Sequence, residues 1–167
     1  MPDVETRKSP IVGIGVFAAR DFERDETLLV LDTSLVVDEA RPLRPDLGER
    51  EDHLAYLAGG SAVLLPEPER RLNHSCNPNA FIETADRELR LVVRRRIERG
   101  QEITLDYLVN THGGSSWRCA CGSERCRGVL ETSFFELPPD FQREYLPLLE
   151  RWFVEEHREK IEGLGGA

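Results

Sequence analysis

Three cysteines stand close together in the stretch "WRCACGSERC", at residues 117–126. Thiolates are preferred ligands of Zn²⁺ in closed structural sites, and short spacings of this kind are typical of metal-binding loops. A disulfide is the less favoured interpretation, because the two cysteines of a C-x-C pair are close along the chain and form a disulfide only awkwardly. The stretch therefore predicts three zinc ligands, Cys119, Cys121 and Cys126.

A tetrahedral structural zinc site needs four ligands, so one must come from elsewhere in the chain. The sequence holds one further cysteine, Cys76, within the segment "NHSCNPN" at residues 73–79. Small polar side chains crowd this segment and favour a tight turn over a regular strand or helix. We expect Cys76 to complete the site; His112, His74 and water are the alternatives that residue chemistry alone leaves open.

The segments that must position these ligands are mostly short β-strands. Apolar and charged residues alternate over residues 81–107, as in half-buried antiparallel strands, and "GIGVFAARDF" at residues 13–22 also reads as a strand. Residues 39–52 carry two prolines, a glycine and many charges, which indicates a loop or insertion. Towards the C-terminus, apolar residues recur at helical spacing over residues 141–152, and Pro147 is expected to kink or split that helix.

Composition and charge exclude several functional classes. With 40% hydrophobic and 32% charged residues the chain has a globular balance, and no apolar run is long enough for a membrane span. The net charge of −9 argues against direct nucleic-acid binding and favours a basic protein partner. The N-terminal stretch lacks the apolar core of a signal peptide, so we expect a cytoplasmic protein, with signal-independent secretion as an open alternative.

Four blocks of the sequence resemble, in the family's order, the motifs of the SET-domain protein-lysine methyltransferases. "GIGVFA" resembles the N-terminal Gly-x-Gly strand motif, and "NHSCNPN" the Asn-His-Ser-Cys-x-Pro-Asn signature. "GQEITLDY" resembles the closing signature, and "CACGSERCRG" the C-x-C-x4-C post-SET segment. The pairing of "NHSCNPN" with "EITLDY" is the most specific of these. The chain is similar to small, bacterial-type members that lack the cysteine-rich pre-SET module.

The resemblance implies a mostly β fold in which several short antiparallel sheets surround a pseudoknot-like active site. It implies a SET domain over residues 1–110 with a variable insertion at about 39–69, a post-SET zinc-binding segment at 111–131 and a C-terminal helical extension at 132–167. In this family the post-SET cysteines share one zinc ion with the cysteine of the signature turn. The resemblance therefore makes Cys76 the fourth ligand.

The family's reaction implies the function. A methyl group passes from S-adenosyl-L-methionine to the ε-amine of a protein lysine, and the acidic surface suits a basic substrate protein. Tyr107 matches the catalytic tyrosine, and Leu105 lies with it in the substrate channel. The positions that match the family's cofactor-binding residues are Ile14, Gly15, Val16, Arg70, Asn73 and His74.

Two departures from the family pattern bear on activity. Arg71 stands where many members have an aromatic residue, and Leu105 stands where the family usually has Phe or Tyr. Because leucine has no hydroxyl to hold a water molecule, Leu105 favours a channel that accommodates more than one methyl group. Both departures support the alternative of a non-catalytic SET-like module that binds a partner protein. A thiol hydrolase that uses Cys76 and His74 is disfavoured, because adjacent residues of one turn rarely place a base against a nucleophile.

Overall fold

Short strands make up most of the regular structure in the computed structural model, which describes residues 3–164. The strands are β1 (Val4–Lys8), β2 (Ile14–Ala18), β3 (Thr27–Val30), β4 (Val36–Val37), β5 (Leu54–Tyr56), β6 (Ala62–Leu64), β7 (Asn73–His74), β8 (Ala80–Ala85), β9 (Glu88–Val93), β10 (Glu102–Leu105), β11 (His112–Arg118) and β12 (Val129–Ser133). The helices are α1 (Pro139–Tyr145), α2 (Arg151–Glu156) and α3 (Arg158–Leu164). The mostly β fold with a helical C-terminal tail is confirmed.

These strands form several small sheets. One sheet has the order β1-β2-β10-β7, a second β3-β9-β8 and a third β4-β6-β5, while β11 and β12 form a hairpin. All pairs are antiparallel except β7 with β10, which run parallel and align Asn73 with Thr104 and His74 with Leu105. This parallel pair brings the "NHSCNPN" turn beside the end of the "EITLDY" strand.

The variable insertion expected at about residues 39–69 contains strands, but only after the stretch 39–52 that was expected as a loop. Residues 39–69 include β5 and β6, which pair with each other, and β6 also pairs with β4. These strands are only two or three residues long, so they carry no clear alternation of polar and apolar residues. The sequence indicated a strand after Gly60, where β6 lies, and a short helix before Gly59, where the structure has β5.

Two apolar clusters hold the molecule together. The sheet core lies between the first two sheets and contains Val16, Phe22, Leu91, Ile97 and Ile103 among its fully buried members. The knuckle core contains Cys76, Leu108, Leu130, Phe134, Tyr145 and Phe153. Residues 119–128, the loop between β11 and β12 that we call the knuckle, contribute Cys119 and Cys121 to the edge of this second cluster.

The C-terminal helices cover the knuckle core. Phe141 and Tyr145 are buried there, as expected from their apolar character and helical spacing, whereas Trp152 of the same stripe is only half-buried and its neighbour Phe153 is buried instead. Pro147 lies in a 3₁₀ turn between α1 and α2, where it divides the tail as the sequence predicts. Among residues 3–164, no helix has the length and apolar character that crossing a membrane requires.

Candidate active site and metal centre

The side chain of Asn73, on the edge strand β7, links β7 to β10 and β2 of the four-stranded sheet. Its Nδ2 donates to Glu102 Oε1 on β10 at 2.8 Å, to the carbonyl of Val12 at 3.2 Å and to the carbonyl of Ile14 on β2 at 3.4 Å. Asn73 is buried, so these bonds are shielded from water. Because its amide donors are used within the protein, a ligand bound at this turn would meet mainly backbone groups.

Gly15 is required by a neighbouring carboxylate. A Cβ atom at this position would lie 2.1 Å from Glu102 Oε1 and 3.1 Å from the Cβ of Ser9. Ser9 Oγ in turn lies 2.8 and 2.9 Å from the two oxygens of Glu102, so the carboxylate cannot easily move away. The sequence suggested that Gly15 allows close approach of a ligand. The structure gives a second reason for a glycine here, because the Glu102 carboxylate occupies the space of a side chain.

His74 links the signature turn to both the strand end and the cysteines. Its Nδ1 accepts a hydrogen bond from the backbone N–H of Tyr107 at 3.1 Å, and its Nε2 lies 3.4 Å from Cys76 Sγ. Burial, together with the positive charge of Arg127, lowers the pKa of His74 to about 3, so the ring is neutral near pH 7. Since Nδ1 accepts, the proton sits on Nε2 and points at the sulfur.

Tyr107 lies two residues after the end of β10 and turns its hydroxyl inwards. Although 42% of the residue is exposed, the hydroxyl donates to the backbone carbonyl of the buried Leu72. Burial, and then the negative charges of Asp52 and Glu102, raise the pKa of Tyr107 to about 12. The phenol is therefore neutral at physiological pH, and with its proton donated to Leu72 its oxygen is left as an acceptor.

Trp117 is a member of this site that sequence reasoning missed. Its ring meets His74 edge-on with centroids 5.9 Å apart, and it lies 6.5 Å from the ring of Tyr107. Trp117 belongs to β11, so the β11-β12 hairpin and the turn after β10 that carries Tyr107 share one aromatic cluster. The available signal was its place at the start of "WRCACGSERC", two residues before Cys119.

All four cysteines come together at one point. Their Sγ atoms lie within 4.8 Å of one another, and those of Cys76 and Cys119 are 3.7 Å apart. In a tetrahedral site with Zn–S bonds of about 2.3 Å, neighbouring sulfur atoms are about 3.8 Å apart. The four thiols are free of disulfides, and the buried Cys76 faces two N–H groups, from Arg127 and His74, that suit a thiolate. The donor set fits zinc.

His112, an alternative fourth ligand, has other partners. Its Nδ1 lies 3.0 Å from Ser133 Oγ and its Nε2 lies 2.8 Å from Lys160 Nζ. Its ring packs edge-on against Phe135, away from the cysteine cluster. His112 is therefore part of the packing between β11 and the tail.

A comparison with known proteins agrees with this geometry. The family model described as "SET domain" matches residues 13–108, more than half of the chain. The chain belongs to the SET-domain family. The matched residues contain the Gly-x-Gly strand, the signature turn with Cys76, and Tyr107, whereas the other three cysteines lie beyond them.

Relatives of this SET domain are much longer proteins. The histone-lysine N-methyltransferase trr of Drosophila melanogaster is 31% identical over 143 residues, which cover 75% of this chain and 6% of that protein. An H3 lysine-36-specific histone-lysine N-methyltransferase of Candida albicans is 32% identical over 135 residues, covering 74% and 16%. Human histone-lysine N-methyltransferase 2D is 29% identical over 136 residues, covering 75% and 2%. The chain thus corresponds to a small part of each.

A solved structure supports the fold. The crystal structure of a Plasmodium falciparum protein, a candidate histone methyltransferase, superposes with a TM-score of 0.51 at 21% identity. The alignment covers 69% of this chain and 96% of that chain. At this identity the similarity establishes the SET fold.

Arg71 and Leu105, which depart from the SET pattern, and Arg70, which matches it, have definite partners. Arg70 and Arg71 both direct their guanidinium groups at Glu67, with each Nε 2.8 Å from Glu67 Oε1. Leu105 is half-buried and packs against the sheet core. Arg70, a predicted cofactor-binding residue, is therefore held in place by an acidic neighbour.

A buried ion pair, also missed by the sequence reasoning, connects the SET domain to the knuckle. Arg127 Nη2 donates to Asp106 Oδ2 at 2.7 Å, and the side chains of Arg127 and Asp106 are 8% and 0% exposed. Asp106 also bonds the backbone, since its Oδ1 accepts from the N–H of Leu108 at 3.1 Å.

Proposed function

We propose that this SET-domain protein is a protein-lysine N-methyltransferase that uses S-adenosyl-L-methionine. The observation that carries the proposal is the convergence of Tyr107, the "NHSCNPN" turn and Trp117 at one site. When bound, the cofactor would supply an electrophilic methyl group on its sulfonium: the lone pair of the lysine amine would form the C–N bond as the C–S bond breaks, leaving a neutral thioether, and the nitrogen would then lose a proton to solvent. The protein's own task is to align the two and to exclude water.

Tyr107 is suited to receive a neutral amine. Its phenol is uncharged and donates to the carbonyl of Leu72, which leaves oxygen lone pairs to accept an N–H from the incoming lysine. A free lysine has a pKa of about 10.4, so the site must favour the neutral amine. The apolar walls of Leu105 and Trp117 would do so by making an ammonium ion costly.

The cofactor would bind along the Gly-x-Gly strand and the signature turn. We assign to it the backbone of Ile14, Gly15 and Val16, and the backbone of Asn73 and His74, whose side chains bond within the protein. Arg70 would contribute its guanidinium group.

Zinc would be held by Cys76, Cys119, Cys121 and Cys126. Its role would be structural, because four thiolates leave no open coordination position. The ion would fix the hairpin of residues 111–131, and with it Trp117 next to Tyr107.

The methyl acceptor that we propose is a lysine in a basic protein segment. The chain carries a net charge of −9, and the relatives named above are histone-lysine methyltransferases. A lysine-rich substrate such as a histone tail fits both facts.

The test is the variant Tyr107→Phe, assayed on the zinc-loaded protein with a lysine-rich protein mixture and labelled cofactor. We expect turnover to fall by about 100-fold or more, as when one preorganised hydrogen-bonding group is removed, while the cofactor still raises the melting temperature. Tyr145→Phe is the matched control, because it removes a hydroxyl that donates to the carbonyl of Cys76 at 3.3 Å. It should lower stability and leave turnover per folded molecule unchanged.

Two results would count against this proposal. Full activity in Tyr107→Phe would remove the role assigned to the hydroxyl. Cofactor binding by the wild-type protein without methyl transfer to any lysine-rich protein would favour the alternative, a SET-like module that engages a partner without catalysis.

A further inference from the structure

Arg127 lies in the knuckle and connects it to the turn after β10 that carries Tyr107. It follows the last cysteine, Cys126, and lies outside the part of the chain that matches the SET family model. Its guanidinium group is almost fully buried, and Asp106 is the carboxylate that it contacts among residues 3–164. Its Nε and Nη1 are buried without a hydrogen-bond partner in the described part of the chain. The ion pair with Asp106 is thus the main polar attachment of this side chain.

The Asp106 end of the pair shapes the turn on which Tyr107 stands. Oδ1 of Asp106 accepts from the N–H of Leu108 at 3.1 Å, and its backbone carbonyl accepts from the N–H of Val109 at 3.2 Å. The N–H of Tyr107 is held separately, by His74 Nδ1. A shift of the Asp106 carboxylate would therefore move the backbone on the C-terminal side of Tyr107.

The Arg127 end is fixed by the knuckle. The backbone N–H of Arg127 donates to Cys76 Sγ at 3.4 Å, and its guanidinium group lies 5.0 Å from the ring centroid of Phe141 in α1. Arg127 can reach Asp106 in this way only while the knuckle is closed on Cys76. Opening the knuckle would also leave Asp106 without its counter-ion, and an unpaired buried charge is strongly unfavourable.

We propose that Arg127 is a positioning residue that makes the placement of Tyr107 depend on a closed knuckle. The zinc site would then do more than stabilise the fold, since its closure would complete the turn that holds the tyrosine hydroxyl. The catalytic consequence rests on the proposed methyltransferase function, whereas the structural coupling does not.

The matched comparison is Arg127→Met against Arg125→Met. Both residues lie in the knuckle and place their guanidinium groups near Phe141, but Arg125 pairs with Glu144 instead of Asp106. Methionine keeps an apolar stem over the phenylalanine and removes the charge. Arg127→Lys, which keeps the charge, tests rescue. Asp106→Asn combined with Arg127→Met removes both charges and guards against loss of folding from an unpaired Asp106.

The first readout is hydrogen exchange on zinc-loaded protein, with zinc content measured for each variant. In Arg127→Met we expect amide protection over residues 105–110 to fall by about tenfold or more, while Arg125→Met leaves this segment unchanged. The second readout is turnover, for which we expect a fall of about 100-fold in kcat for Arg127→Met, as for a misplaced catalytic group, with cofactor affinity retained. Arg127→Lys should recover part of both losses.

Wild-type protection over residues 105–110 in a zinc-loaded Arg127→Met or double variant would overturn the coupling. An equal loss in Arg125→Met would also overturn it, because the effect would then be general loosening of the knuckle. Failure of the proposed function is distinguishable, since it would remove the turnover of the wild-type protein and leave the hydrogen-exchange comparison intact.

Discussion

The sheet core and the knuckle core are held together by different forces. The sheet core is built from aliphatic and aromatic side chains on paired strands, so its stability comes from apolar burial and backbone hydrogen bonds. The knuckle core includes Cys76 and borders two further cysteines, and its hairpin strand β11 is mostly exposed. The site lies where the two meet, with Tyr107 supplied by the first region and Trp117 by the second.

This difference implies a division of labour. We expect the sheet region to form its strands without a metal, whereas the knuckle has few apolar side chains of its own and would depend on metal binding by its cysteines and Cys76 to close. A loop attached in this way can in principle order and disorder while the sheets stay folded.

Removal of zinc is expected to have the largest effect. A chelator should abolish amide protection over residues 111–131, because the metal contributes most of the free energy that orders such a segment, about 10–16 kcal/mol in zinc-finger peptides. Protection in β8 and β9 should change little. Hydrogen exchange with mass spectrometry checks both regions in one experiment, and Cys121→Ser should reproduce the effect without a chelator. Unchanged amide protection at residues 111–131 after loss of zinc would show that the order of the knuckle does not depend on the metal.

The meeting of the four cysteines could be predicted from the sequence, and less of their surroundings. Four cysteines and two specific signatures are rare enough to predict that all four thiols converge, as they do in the structure. Asp106 and Arg127 are common residue types separated by 21 positions, so only the folded chain reveals their pairing. The same is true of Trp117, whose contact with His74 joins two motifs that are far apart in the sequence.

The reason for Gly15 was also beyond the sequence. A Gly-x-Gly strand suggests room for a ligand, but the collision that excludes a side chain comes from Glu102 on another strand. The short strand β5 was missed for a different reason, since a strand of this length depends on its neighbours and leaves no periodic pattern.

Gly15→Ala should destabilise the sheet region without changing the effect of zinc on the knuckle. The new methyl group would lie 2.1 Å from Glu102 Oε1, so the strand or the carboxylate must move. Overpacking of this kind typically costs about 1–3 kcal/mol, and we expect the upper end of that range. Thermal melts should show the same loss with and without zinc.

The matched control for Gly15→Ala is Gly163→Ala in α3. A methyl group there meets no heavy atom within 4 Å, and alanine is the better helix former by about 0.5–1 kcal/mol. This control should be neutral or slightly stabilising. A zinc-dependent loss in Gly15→Ala would mean that the two regions fold as one unit.

Glu144→Gln should weaken the connection between the regions by a smaller amount. Glu144 in α1 contacts Arg94, which follows β9. It also accepts from the two terminal nitrogens of Arg125 in the knuckle, from Nη1 at 3.0 Å and from Nη2 at 2.6 Å. Because these side chains are partly exposed, we expect a loss of about 1 kcal/mol or less, reduced further by salt. Urea unfolding at two salt concentrations measures it.

The same variant has a pH dependence of known sign. The hydrogen bonds from Arg125, with help from Arg94, hold the pKa of Glu144 below its ordinary value of 4.5. Its contribution is therefore complete above pH 4.5 and is lost as the pH falls through the lower folded-state value. The stability difference between wild type and Glu144→Gln should shrink in that acidic window. A difference that stays constant down to pH 2 would show that the carboxylate's charge is not involved.

Leu105→Tyr should have the smallest effect on stability. It tests whether Leu105 limits the substrate channel at the place where the two regions meet. Leu105 ends β10, pairs with His74 and is half-buried against the sheet core, so a tyrosine ring can extend towards the channel. Its hydroxyl would hold a water molecule where leucine holds none and would occupy the space needed by an amine that already carries a methyl group. Mass spectrometry of a methylated lysine peptide should then show mainly the monomethyl product, against higher products for the wild-type protein. Leu105→Met is the control, because it changes shape without adding a hydroxyl. If wild type and Leu105→Tyr give the same product distribution, Leu105 does not limit the width of the channel. The side chains that limit it must then come from the knuckle side, and Trp117 is the first residue to test.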